Sequence, residues 1–364
     1  MKKLALYLVL TAIFTTILSC ENYLEIVPDE RPIEADAFRN PNSALGYLYS
    51  CYGYIPNQRS GTSSIDLMTS DEVVTAFEHE TFAKFPRGEY TASNPVISYW
   101  NDLYKGIRQC YIFINNIDGV VGVDASTKTL YKAEANFLIG YYHFLLLRMY
   151  GPVVIADQQF DINMPVADYP LRSSYDDSVD FIVTKLDEAS QNLPLEMVSS
   201  THYGRATSVI AKSVKARMLL YAASPLFNGG GNNAQSLFSG FTDNEGGQLI
   251  STTYDNEKWK RALDACKEAI DSDLPADPIE KDLRYTFIDK NSSEIIWGET
   301  RRESVYDFQN KSTPFIAGTS WNGVAPTLTI LESFYTKNGL PIDKDPQYNY
   351  DGRFNIVNSD VGIG

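Results

Sequence analysis

The chain has 364 residues, 44% of them hydrophobic, which is enough apolar material for a large core in one or two domains and excludes a disordered tail. Against 31 lysines and arginines stand 46 aspartates and glutamates, and the net charge of -15 repels phosphate backbones, which argues against nucleic acid as a partner. Three histidines (His79, His143 and His202) without i, i+4 spacing, and no Cys-x-x-Cys pair, argue against a zinc site.

Lys2 and Lys3 precede an apolar run over 4–18 that ends in Ile17-Leu18-Ser19-Cys20. The order of basic start, apolar core and small residue before a cysteine is that of a signal peptide, and its last four residues resemble a bacterial lipobox. Residues 1–19 are therefore expected to be removed and Cys20 to carry lipid, with 20–40 as a linker and 41–364 as the folded domain. A transmembrane anchor fits less well, because about 15 apolar residues are present where about 20 are needed. Cys51, Cys110 and Cys266 remain, an odd number that allows at most one internal disulfide. Their helical apolar surroundings predict buried free thiols.

Apolar residues at 3.6-residue spacing predict a mainly α-helical protein. The first helix covers about 43–54, and the second carries Trp100, Leu103, Tyr104, Ile107, Tyr111 and Ile114. A third, near 127–149, is apolar around so much of its circumference that it must be packed on several sides; Gly151-Pro152 ends it. The fourth presents Val179, Ile182, Leu186 and Leu193 before Pro194. The fifth starts near Thr207 and carries alanines Ala211, Ala216, Ala222 and Ala223 that permit close approach to a neighbour. The sixth has Asp255 as N-cap and one stripe of Trp259, Ala262, Leu263, Cys266, Ala269 and Ile270, which places Trp259, like Trp100, in the core. A short seventh is expected over about 327–337. Strand-like material is confined to 153–155 and 294–297. Helix pairs that cannot bury their faces alone stack on one another, so a tetratricopeptide-like repeat is the expected architecture, although no strict 34-residue period is visible. Long loops at 55–98, 226–254 and 300–326 decorate it. The run Asn228-Gly229-Gly230-Gly231-Asn232-Asn233 lacks the Gly-Lys-Ser/Thr of a phosphate loop and is read as a flexible turn.

Gly204-Arg205-Ala206-Thr207 leading to Lys215-Ala216-Arg217-Met218-Leu219-Leu220-Tyr221-Ala222-Ala223-Ser224-Pro225 resembles the signature helix of the SusD/RagB family of Bacteroidetes outer-membrane lipoproteins. The block from Tyr99-Trp100-Asn101-Asp102 to Arg108, the stretch from Ala133-Glu134-Ala135 to Tyr150-Gly151-Pro152, and Pro326-Thr327 through Leu340-Pro341-Ile342-Asp343 are similar to further blocks of that family, in the same order. The resemblance implies a non-enzymatic cell-surface protein with a SusD-like fold. It would bind an oligosaccharide or polysaccharide and deliver it to a TonB-dependent (SusC-like) transporter, with its lipid in the outer membrane and its body facing the exterior. Family members usually continue beyond the point reached here, so the C-terminal part is expected to be short.

Sugars offer apolar C–H faces and hydroxyl rings, so a glycan site needs exposed aromatic platforms beside planar polar groups. Two loop regions supply both, 71–90 and 301–322. Trp321 is the first candidate because it lies outside any periodic stripe between Ser320 and Asn322; Tyr306, Tyr90, Arg87, Asp71 and Asn322 follow. A packed loop anchor is the competing reading for Trp321. A helical repeat that binds peptides or a protein partner, and a glycoside hydrolase working through two carboxylates, remain alternatives. No pair of acids is singled out for catalysis. No cofactor is implied; Asp271-Ser272-Asp273 and Asp343-Lys344-Asp345 leave a structural calcium ion open, although Ala276 stands where an EF-hand needs glycine.

Overall fold

The computed structural model describes residues 34–57, 70–197, 200–229, 237–272, 286, 288–289, 292–298, 307–313 and 320–352. Its body is an array of six helices: α1 (Pro41–Tyr52), α2 (Trp100–Asn116), α3 (Ala125–Tyr150), α4 (Tyr175–Ser190), α5 (Ser208–Ala223) and α6 (Asn256–Ile270). Each packs on its predecessor in chain order, as in a stacked helical repeat. The signal peptide, Cys20 and the start of the expected linker lie outside the described residues. Residues 34–40, inside that linker, fold back on the array, with Phe38 against Tyr47 and Phe113.

Polar side chains set the helix starts. Asn40, Asp124, Ser174, Thr207 and Asp255 each accept a backbone N–H of the first turn of α1, α3, α4, α5 and α6. Gly151, at φ 68°, ends α3. The all-round apolar character of α3 has its expected consequence, because α2 and α4 both pack against it and Phe137, Leu138, Ile139, Tyr142, Leu146 and Leu147 are sealed. The four small residues of α5 are all buried, as their size predicts.

Polar knots tie the array across its helices. Glu134 of α3 is fully buried and accepts from Arg205 Nε at 2.9 Å and from the Tyr52 hydroxyl at 2.7 Å, while Arg205 Nη2 closes a bidentate pair. The Tyr52 oxygen accepts the Ala206 N–H, so α1, α3 and the start of α5 meet at one carboxylate. Burial, then the charge of Glu134, pushes the Tyr52 hydroxyl well above its ordinary pKa and keeps it a donor. Lys215 of α5 joins α4 and α6 through Asp187 and Glu268, each at 2.6 Å. Burial alone lowers its pKa, but those two carboxylates raise it overall.

Several sequence expectations are corrected. Trp259 is 40% exposed rather than core: α6 lies on α5 through Ala262, Ala265 and Ala269, and Trp259, Leu263 and Ile270 occupy the neighbouring outer row. Small residues allow the closer helix approach, so they take the contact and the large ones are left outside. Trp100 sits at the core edge, against Tyr104 and Tyr150 with the Arg172 guanidinium over its ring. The seventh helix is only Leu328–Ser333, because the chain turns extended at Phe334 and folds into a turn bridged by Tyr335 and Pro341. Neither 153–155 nor 294–297 is strand. Val153 is buried and its carbonyl accepts Ser173 N–H, and Trp297 inserts its ring edge-on against Phe137 and Tyr141 while donating to Gly204 O at 2.9 Å. The described start of the glycine run is a fixed turn: Asn228 is buried and tied to Asp255, and Gly229, at φ 53°, presses on the Thr253 backbone. Residues 230–236 lie outside the described residues. Cys51 and Cys110 are buried free thiols, whereas Cys266 is half-buried on α6.

Candidate functional site

Two chain segments far apart in sequence build a small lobe beside the array. Strand β1 (Val73–Val74) pairs antiparallel with β2 (Ala325–Pro326), in the register Val73 with Pro326 and Val74 with Ala325. Thr327 extends the union, its N–H donating to Glu72 O at 2.9 Å and its hydroxyl to Asp71 O. Beneath the strands Phe82, Val324 and Val73 form an apolar cluster separate from the main core. The described parts of the two regions singled out by composition, 71–90 and 301–322, thus meet in one lobe.

A buried ion pair locks it. Glu80, 3% exposed, meets Lys311 Nζ at 2.7 Å, with His79 Nε2 3.6 Å from the same carboxylate. Lys311 belongs to the helical turn Asp307–Ser312, and its carbonyl accepts the N–H groups of Gly323 and Val324 at 2.7 and 2.9 Å. Asn310 O accepts the Trp321 N–H at 2.8 Å, and Thr313 O accepts that of Asn322 at 3.1 Å. The backbone carrying Trp321 is therefore pinned at four successive amides. Gly323 is required there: the Phe77 ring occupies the place a Cβ would take, 2.2 Å from it, and Phe77 in turn stacks on His79. Asn322 adopts φ 48°, the left-handed region that asparagine tolerates among side-chain-bearing residues.

The sequence candidates fall into two groups. Trp321 is 43% exposed on its fixed backbone, with exposed Asn322 beside it, so it is at once an anchor through its main chain and a platform through its ring. Asp71 is exposed, and its carbonyl serves the strand junction. Arg87, exposed, is the last residue of the short helix Lys84–Arg87, closed by Gly88 at φ 68°, and Tyr90, 50% exposed, lies just beyond it and pairs with Phe85 at 5.6 Å between centroids. Tyr306 lies outside the described residues. Glu80, His79 and Lys311 were missed by sequence reasoning. Glu80 and Lys311 stand 231 positions apart, and no local pattern marks any of the three.

Of the two acidic segments considered for calcium, Asp273 of the first lies outside the described residues, and in Asp343-Lys344-Asp345 the last carboxylate is engaged by its own neighbours. Asp345 is buried and accepts from the Thr336 hydroxyl, the Asn338 amide and the Gln347 N–H, and these hydrogen bonds, the Thr336 hydroxyl first, lower its pKa. Among the described residues no group of three or more His, Cys, Asp or Glu side chains could hold a metal ion. Among them, too, no helix is long and apolar enough to cross a membrane.

Known proteins resemble this chain in sequence and in fold. A SusD-like family profile described as "Starch-binding associating with outer membrane" matches residues 22–220. A curated SusD-like protein of Bacteroides ovatus is 26% identical over 277 residues, covering 71% of this chain and 48% of its own. The solved structure of BT4246 aligns with a TM-score of 0.71 at 31% identity, covering 85% of this chain and 59% of that one. A SusD-like protein, BF3747, from Bacteroides fragilis NCTC 9343 shares the fold at a TM-score of 0.65 and 21% identity, over 87% of this chain and 57% of its own. The chain spans about half the length of the curated relative it matches.

Proposed function

The chain belongs to the SusD-like family, and on that premise we propose that it is a glycan-binding lipoprotein of the outer membrane that captures oligosaccharide at the cell surface and passes it to a TonB-dependent transporter. The lipid is carried by Cys20, and the body faces the exterior. Binding, with no bond broken, is its whole chemistry.

The observation that carries the reading is the presentation of Trp321. A half-exposed indole costs little to hold in place here, because the ion pair Glu80–Lys311 and the amides of residues 321–324 already fix its backbone. A rigid aromatic face can bury the C–H face of a sugar ring without the ordering cost a mobile loop would pay. Exposed Asn322 offers both a donor and an acceptor to hydroxyls at the rim of that face. Tyr90, Arg87 and Asp71 supply further aromatic and polar surface on the same lobe. The family description, starch binding in association with the outer membrane, supports the ligand class and the location.

Affinity electrophoresis tests this. The native chain runs through gels carrying a panel of plant, fungal and host polysaccharides, beside Trp321→Ala, with circular dichroism as the check on folding. Retardation by one polymer is expected, weakened about five- to thirtyfold in the variant while the helical spectrum persists, since loss of one stacking platform is worth about 1–2 kcal/mol. A folded protein that no polymer retards argues for a peptide or protein partner instead, and steady hydrolysis of a retained polymer rejects the binding-only reading.

A further inference from the structure

Two of the three cysteines beyond the leader meet in the core. Cys51 lies in the last turn of α1 and Cys110 midway along α2; both are fully buried on these two packed helices, and the Cys51 thiol is near enough to raise the pKa of Cys110. The helices approach closely at this level. Gly106, one turn before Cys110, has no Cβ, and one placed there would stand 2.8 Å from the Tyr142 ring and 2.9 Å from Tyr54 Cβ. Tyr142 closes the pocket from α3 by donating its hydroxyl to the Cys51 carbonyl. Cys266 is on α6, which packs on α5 at the far end of the array, and does not compete for either partner.

We propose that Cys51 and Cys110 are joined by a disulfide in the exported protein. Neighbouring buried thiols on two tightly packed helices are the arrangement a disulfide needs. The oxidant is a disulfide of the export compartment, protein-borne or of low molecular weight. One cysteine, as thiolate, attacks it and releases one thiol; the second attacks the resulting mixed disulfide and releases the other. Two protein thiols and one external disulfide thus become one protein disulfide and two external thiols. Burial, with the neighbouring Cys51 thiol second, pushes the Cys110 thiol well above its ordinary range, and exchange needs thiolate. The pairing therefore forms while α1 and α2 are docking, before the core closes over it. Its position gives it a task, because the whole segment between α1 and α2, including β1, Asp71, Glu80, Arg87 and Tyr90, becomes a covalently closed loop anchored at its base.

The proposal rests in part on the export read from residues 1–20, and the test separates the two. The full chain is recovered from the membranes of an exporting host, and a second preparation is refolded in oxidised and reduced glutathione. Both are alkylated in denaturant without reductant and mapped by peptide mass. The expected result is an unlabelled, linked peptide pair containing Cys51 and Cys110, lighter than the two thiol peptides by two hydrogens, with Cys266 labelled; Cys266→Ser should keep the link and remove that label. Labelled Cys51 and Cys110 in both preparations, or either one linked to Cys266, overturns the pairing. A link in the refolded protein alone overturns oxidation on export and leaves the pairing of these two residues standing.

Discussion

His143 shows how one buried residue can make this fold sensitive to acid. The ring lies inside α3, and its Nε2 accepts the Ala156 N–H at 3.1 Å, which leaves Nδ1 to carry the proton and donate to Ile139 O at 2.8 Å. Burial lowers its pKa from 6.5 to about 4. The unfolded chain takes up the proton first as pH falls, so the stability contributed by the neutral ring is complete above about pH 6.5 and is lost on the way down through pH 4. The depression corresponds to roughly 3 kcal/mol. Urea titrations of the native chain and of His143→Gln should differ in pH slope across that window, the variant being flatter by that amount; parallel curves would deny the ring this role. Arg205 is governed by charge rather than protonation. Arg205→Met strands the Glu134 carboxylate in the core and should cost about 3–5 kcal/mol in chemical denaturation. Both residues of that pair stand in the blocks that resemble the SusD/RagB family, and their observed work is to hold three helices together.

Among elements, α2 and α6 show that amphipathic pattern and packing partner are different questions. On α2, Gly106→Ala ought to help by helix propensity, about 0.8–1 kcal/mol, yet the new methyl would strike Tyr142 and Tyr54. Overpacking of about 1–3 kcal/mol wins, so the variant should melt earlier than the native chain. On α6 the stripe was legible but its buried edge was not. Ala265→Leu should destabilise by about 1–3 kcal/mol because Ala265 touches α5, whereas Leu263→Lys, on the exposed row, should stay within about 0.5 kcal/mol. The reverse order in thermal denaturation would mean that this face is covered in solution.

At the scale of the whole molecule the protein divides energetically into the helical array and the small lobe that carries the candidate site. The lobe has its own apolar cluster of Phe82, Val324 and Val73 and a two-residue ladder, against a main core spread over all six helices. Amide exchange should therefore release Val73, Val74 and Ala325 well before the interior of α3. Lys311→Met, by leaving Glu80 buried without its counter-charge, should speed exchange in the lobe and weaken glycan retention while the exchange of α3 stays unchanged. Uniform acceleration through both parts would show that they open as one.

The sequence alone determined the helical class, the Asp255 cap of α6, the start of α5 at Thr207 and the close-packing role of α5, because those depend on neighbours within a turn or two: a side-chain oxygen reaching the next amides, or apolar residues returning every 3.6 positions. It also marked the two aromatic-rich regions by composition. Only the tertiary structure decided that the described parts of those regions form one lobe, through Glu80 with Lys311 and Phe77 against Gly323, and that Trp259 lies outside while Cys51 and Cys110 are sealed on the neighbouring helices α1 and α2. Each of these is a contact across hundreds or tens of residues, and such a contact is set by how whole helices stack, leaving no periodic trace in the local chain.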